Sequence, residues 1–156
     1  MAQDPVLSVL AGALNDLYRL SGSARFHAET VTSTGVSITR TGLRCLSLVH
    51  DSPRISGSQL ASALDVSQPT VSRVLQQLES DGLVLRRPSE KDGRVSHYVA
   101  SPTGRRALSV VHGYHVSQLT VALQGVNTVR RADLAAAVTE LVGLLHPHTA
   151  TTSRTA

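Results

Sequence analysis

Between Ser56 and Gly82 the chain's own punctuation forces two helices close together, and this constrains the fold more than any other feature. Ser56-Gly-Ser-Gln59 has the spacing of a capping box, in which Ser56 takes a backbone N–H and Gln59 reaches back to the cap. A short helix follows through Leu60, Ala61 and Leu64 and ends at Asp65-Val66. Ser67 caps the next helix, with Pro69 in its first turn. That second helix carries Val71, Val74, Leu75 and Leu78 within about 100° of arc and stops at Gly82, a residue suited to a left-handed cap. So short a connection holds the two helices at a steep angle, the layout of a helix-turn-helix.

The flanking segments supply what such a pair needs in order to bury its apolar stripes. Leu83 to Arg87 and Val95 to Ala100 read as strands, and Asp92-Gly93 between them is a hairpin signal. Upstream, a helix is expected from Thr39 to Val49, ended by Asp51-Ser52-Pro53. Asp4-Pro5 opens an earlier helix with Leu7, Leu10, Leu14 and Leu17 on one face, and Thr30 to Gly35 breaks the pattern. Downstream, Ser101-Pro102 starts a helix carrying Leu108, Val111, His115 and Leu119, with Gly125 as its expected end. A last helix runs from Arg130 to Leu145 and is stopped by Pro147.

The expected fold is therefore mainly α with a small β-hairpin wing: a winged helix-turn-helix flanked by N- and C-terminal dimerisation helices. Residues 1–35 form an N-terminal dimerisation arm, 36–102 the winged core, 103–147 the C-terminal dimerisation helices and 148–156 a disordered tail. The leucines and valines on the two arms exceed what a core of this size can cover from one side, which points to a homodimer.

Composition excludes several classes. With 41% hydrophobic and 17% charged residues the chain is not intrinsically disordered. One cysteine, Cys45, leaves no internal disulfide and no multi-cysteine metal knuckle. No run of apolar residues is long enough to span a membrane, and the N-terminus lacks a basic signal region, so a cytoplasmic location is expected. Catalytic signatures such as G-x-S-x-G, H-E-x-x-H or a P-loop are missing and the carboxylates are scattered, so neither an enzyme nor a cofactor or metal is expected.

Chemistry concentrates instead on one helix face and one hairpin. Opposite the apolar stripe, the second helix presents Gln68, Thr70, Ser72, Arg73, Gln76 and Gln77. A solvated helix face ordinarily mixes Glu with Lys, whereas Gln, Thr, Ser and Arg are side chains that read base edges in a major groove. From Arg86 to Arg106 there are six cations and two acids, which equals the whole formal excess of +4. A cationic hairpin directly after such a helix suits phosphate contact, so the expected partner is double-stranded DNA.

At this point Arg54 to Arg106 resembles the MarR family of winged helix-turn-helix regulators. The residues that carry the resemblance are Ser58-Gln59-Leu60-Ala61, then Val66-Ser67-Gln68-Pro69-Thr70-Val71-Ser72-Arg73, then Leu78 through Val84. Arg86-Arg87-Pro88, Asp92-Gly93-Arg94 and Ala100-Ser101-Pro102-Thr103-Gly104 follow. The resemblance implies a homodimeric transcriptional regulator, a ligand-responsive repressor on a pseudo-palindromic operator. It makes Ser67, Gln68, Pro69, Thr70, Ser72, Arg73, Gln76 and Gln77 the groove-reading set, with Arg54, Arg86, Arg87, Asp92 and Arg94 on the flanking backbone and wing. Arg94 corresponds to the family's wing-tip arginine, held by Asp92. Gly93 departs from the basic residue usual between them, and Ala100-Ser101 replaces the family's Leu-Thr.

The resemblance also implies a small aromatic anionic effector bound between the arms and the winged core, for which Tyr18, Arg19, Arg25, His27 and Arg44 are the candidates. Two alternatives remain at this stage. One is a redox- or metal-sensing regulator using Cys45 or the pair His112 and His115; the other is a helical interaction module that binds no DNA. Cys45 lies mid-helix between Leu43 and Leu46, which favours a buried structural thiol.

Overall fold

A computed structural model of the chain describes residues 4–52, 54–88 and 96–145. The chain divides after His115 into two compact units. In the first, α1 (Pro5–Ser21) and α2 (Ala24–Thr34) lead to α3 (Arg40–Asp51), the two-residue strand β1 (Ile55–Ser56), and then α4 (Gly57–Leu64) and α5 (Gln68–Ser80). Strands β2 (Val84–Pro88) and β3 (Ser96–Ala100) follow, and α6 (Pro102–Ala122) runs past the division. The second unit holds the end of α6 and α7 (Thr128–Leu145).

The caps explain the boundaries. Ser56 Oγ accepts from the Gln59 N–H while Gln59 Oε1 accepts from the Ser56 N–H, so both halves of the capping box are formed. Asp65 ends α4 in the left-handed conformation, Ser67 caps α5 with Pro69 in its first turn, and Gly82 adopts φ +69° just beyond α5. Asp4 caps α1 ahead of Pro5, and Thr39 caps α3.

The core is built by α3, α4, α5 and the base of the wing. Leu46, Leu60, Leu78, Val49, Val71, Val84 and Cys45 are fully buried, and Ala107 and Leu108 of α6 pack against the same cluster. Every one of these is aliphatic or a thiol, as a chain with 3% aromatic residues requires. Burying each large aliphatic side chain contributes about 1.5–3 kcal/mol.

Three elements differ from the sequence expectation. Thr30 to Gly35 is not a break: α2 continues to Thr34 and only Gly35, at φ +68°, ends it. The threonines are accommodated because Thr30 Oγ1 donates to the Phe26 carbonyl and Thr34 Oγ1 to the Thr30 carbonyl, within the helix itself. The sheet has three strands in the order β1-β3-β2, all antiparallel, with Ser56 opposite His97 and Arg87 opposite His97 on its other side. The third difference is at the downstream end, where α6 stops at Ala122 rather than near Gly125 and α7 begins at Thr128 rather than Arg130. Asn127 Oδ1 accepts the Arg130 N–H and so provides the start of α7.

The terminal helices bury almost nothing within the chain. No residue of α1 or α7 is buried, and Leu7, Leu17, Leu134, Val138, Val142 and Leu145 are all exposed. No helix among the described residues is long and apolar enough to cross a membrane. The segment expected to be a tail, 148–156, lies outside the described residues.

Candidate nucleic-acid interface

Helix α5 has two faces of opposite character. Val71, Leu75 and Leu78 are buried and Val74 is half-buried, so the helix is clamped along one stripe. Ser67, Gln68, Pro69, Thr70, Ser72, Arg73, Gln76 and Gln77 are all exposed on the remainder. Ser67 Oγ accepts the Thr70 N–H and lies 2.8 Å from Thr70 Oγ1, which orients both hydroxyls at the helix start. Gln77 Nε2 donates to Asp81 Oδ1 at 2.9 Å, tying the far end of the face to the helix terminus. Arg73, midway along, has no hydrogen-bond or ion-pair partner among the described residues. An exposed guanidinium fork flanked by neutral donors and acceptors is suited to a guanine edge.

The wing is fixed at its base. Ser101, only 4% exposed, donates from Oγ to the Gly82 carbonyl at 2.6 Å and accepts the Gly104 N–H at 2.9 Å. The Ser101 N–H itself bonds the Leu83 carbonyl. Gly104 sits so close to this junction that a Cβ would fall inside the Leu83 carbonyl and 3.1 Å from Leu46 Cδ1. The end of α5, both wing strands and the start of α6 are thereby held in one joint. Neither Ser101 nor Gly104 is a candidate functional residue from sequence: Ser101-Pro102 reads as a helix start, and the stretch through Gly104 as part of the family resemblance.

Along the strands, Arg86 and Arg87 are exposed. Arg86 Nε donates to Ser96 Oγ across the hairpin at 2.8 Å, whereas Arg87 has no partner among the described residues. Arg54 is exposed and takes φ +70°, an uncommon backbone for a side chain of its size. Asp92 and Arg94, the expected wing tip, lie outside the described residues.

A separate cavity of about 830 Å³ opens between α1, α2, α3 and α6. Of the effector candidates, Tyr18, Arg19, His27 and Arg44 line it. Arg25 does not: its guanidinium is exposed and pairs with Glu29 at 2.8 Å. Sequence reading missed Phe26, Arg40 and the wall contribution of His115. The Phe26 and His115 rings stack with centroids 5.3 Å apart and planes at 25°. Phe26 is the only phenylalanine in the chain, but nothing in local periodicity couples α2 to a histidine some 90 residues on.

Cys45 is fully buried, and burial pushes its thiol up to about 11, so it is not a ready thiolate. His112 is exposed while His115 is half-buried, and among the described residues no three histidine, cysteine or acidic side chains converge to hold a metal.

A trihelical core with α5 presented on its surface and a two-stranded wing hinged behind it defines a winged helix-turn-helix. Residues 38–96, spanning α3 through the start of β3, match the MarR family. A candidate transcriptional regulatory protein for the hcr operon of Thauera aromatica is 35% identical over 103 residues, covering 64% of this chain and 61% of that protein. The HTH-type transcriptional regulator YdgJ of Bacillus subtilis is 33% identical over 93 residues, 59% of this chain and 56% of that one. The chain thus spans about three fifths of the length of these curated relatives. Among solved structures, RV1404 from Mycobacterium tuberculosis superposes with a TM-score of 0.74 at 20% identity, covering 97% of this chain and all of that one. FabT of Streptococcus pneumoniae, crystallised in complex with DNA, does so at 0.58 and 22% identity over 91% and 96% of the two chains. These structures establish the likeness of fold.

Proposed function

We propose that this protein is a sequence-specific transcriptional regulator that binds duplex DNA as a homodimer. Helix α5 enters the major groove and the β2–β3 wing lies against the adjacent backbone. The exposed face of α5 carries the reading: a helix clamped along one stripe offers seven neutral polar or small side chains around the exposed Arg73. The curated relatives named as transcriptional regulators and the DNA complex of FabT point the same way.

Dimerisation follows from the terminal helices. The apolar side chains that α1 and α7 leave exposed make too large a surface to face water, and a second copy is the natural cover. A two-fold dimer places two copies of α5 in successive major grooves, so the operator is a pseudo-palindrome with half-sites about 10 base pairs apart. Fluorescence anisotropy on duplexes selected from a random pool tests this: enrichment of a two-fold motif supports it, and uniform binding to every duplex contradicts it.

The cavity favours a second element, response to a small aromatic anion. Arg40 and Arg44 supply positive charge and Tyr18 and Phe26 aromatic surface around one space. Occupancy there releases the operator, making the protein a ligand-responsive repressor. A redox role for Cys45 fits poorly with its burial and raised pKa. Loss of operator binding on addition of benzoate is the expected result, and unchanged binding at saturating benzoate counts against the response.

A further inference from the structure

His115 is placed unusually for a histidine. It forms part of the wall of the large cavity and also of a second one of about 430 Å³, beside Leu43 in both. One ring face stacks on Phe26, and Nε2 is buried with no hydrogen-bond partner among the described residues. A buried imidazole nitrogen without a partner is unfavourable in either protonation state, and adding a charge to it is worse still.

We propose that His115 couples anion binding to proton uptake: the anion that enters the cavity turns the ring so that the buried Nε2 gains the acceptor it lacks, and His115 becomes an imidazolium as it does so. This rests on the reading of the cavity as an anion site and assigns the group that regulates it.

The surroundings set the direction. Arg19 faces the cavity from α1, although its guanidinium is shared with Asp16 at 3.0 Å, and Tyr18 lies beside it. From α2 comes His27, and from α3 come Arg40 and Arg44. On the side of the second cavity are His50 and Asp51 of α3, with Arg105 and His112 of α6, while the Tyr114 ring lies 6.0 Å from that of His115. Among the described residues, Asp51 is the only carboxylate lining either cavity. In the empty protein burial lowers the pKa of His115 and neighbouring His112 lowers it further, so the ring is neutral at ordinary pH. An entering carboxylate offsets the cationic field of Arg40 and Arg44 and accepts from the imidazolium, which raises the pKa. The proton comes from solvent onto the imidazole lone pair, and the carboxylate stays ionised throughout. Protons bound in the complex exceed those bound in the free protein, so anion affinity rises as pH falls toward the free-state pKa.

The test is isothermal titration of the full chain with sodium benzoate in two buffers of different ionisation enthalpy, repeated from about pH 8.5 to about 6.5. The expected result is uptake of a fraction of a proton approaching one per site, with affinity strengthening by up to about tenfold per pH unit. His115→Phe keeps a ring against Phe26 and should bind weakly, with no uptake and a flat pH profile; His115→Gln should do the same if the larger ring disturbs folding. Benzoate binding without proton uptake in the unaltered protein, or uptake persisting in both His115 variants, overturns the coupling and leaves the anion site standing. Absence of benzoate binding at every pH, or binding that Arg44→Gln does not weaken, overturns the anion site and the coupling together.

Discussion

Ser101 Oγ donates a 2.6 Å hydrogen bond to the carbonyl of Gly82, nineteen residues earlier, and so fastens the base of the wing to the end of α5. The same oxygen takes the buried Gly104 N–H, so a single buried hydroxyl joins backbone groups from two separate elements. The angle between α5 and the wing depends on this joint.

Removing the hydroxyl leaves the buried Gly104 N–H without its partner and frees the Gly82 carbonyl from the joint. Ser101→Ala should cost about 1–3 kcal/mol of stability, read as a lowered urea midpoint. Ser101→Thr keeps the hydroxyl and should recover most of the loss. An unchanged midpoint in the alanine variant would show that the joint is not held this way.

Gly104 leaves no room for a side chain. Gly104→Ala forces a methyl group into the Leu83 carbonyl and against Leu46, so it should destabilise by about 1–3 kcal/mol or more. Thermal unfolding checks this, and a melting temperature equal to that of the unaltered protein would contradict the packing.

Cys45 imposes a pH dependence of definite sign. Its thiol ionises near 9.0 when free and at about 11 in the folded chain, so above pH 9 the unfolded state sheds a proton that the folded state keeps. Its contribution is fully present below pH 9 and lost as pH rises through about 11. Urea unfolding of the protein and of Cys45→Ala over this range isolates the effect: the gap in stability should narrow as pH rises. A constant gap would mean the thiol is not shielded as described, as would rapid reaction of the native thiol with a disulfide reagent.

The exposed leucines and valines of α7 should be interface residues. Leu134→Asp with Val138→Asp should yield monomers by sedimentation, with the winged core still folded because α7 buries no residue within the chain. Operator affinity should fall with the dimer. A variant that still sediments as a dimer would move the interface elsewhere.

Much of this architecture is written locally. Capping pairs such as Ser56 with Gln59, and Ser67 followed by Pro69, act over a few residues, so the bounds of α4 and α5 could be read directly from the chain. The polar face of α5 was equally legible, because burial of Val71, Leu75 and Leu78 leaves Arg73 and its neighbours on the outside. What stayed hidden is of two kinds, side chains bonding back within their own helix and contacts between distant segments. Thr30 and Thr34 look like helix breakers until their hydroxyls are seen bonding back within α2. The two-residue strand β1 exists only because β3 is there to pair with it. The stacking of Phe26 on His115 brings α2 to α6, and no periodic pattern announces it.

If α5 reads sequence and the wing holds backbone, two exposed arginines, Arg73 and Arg87, separate these roles. Binding of Arg73→Ala and Arg87→Ala should be measured on the selected operator, on single-base variants of it and on unrelated duplex DNA across a salt series. Arg73→Ala should lose about 1–3 kcal/mol of discrimination at one position in each half-site while its affinity for unrelated DNA changes little. Arg87→Ala should weaken binding to every duplex alike and reduce the salt slope by about 1 for each phosphate no longer neutralised. Equal losses for both variants on every sequence, with the same change in salt slope, would contradict the division of labour between helix and wing.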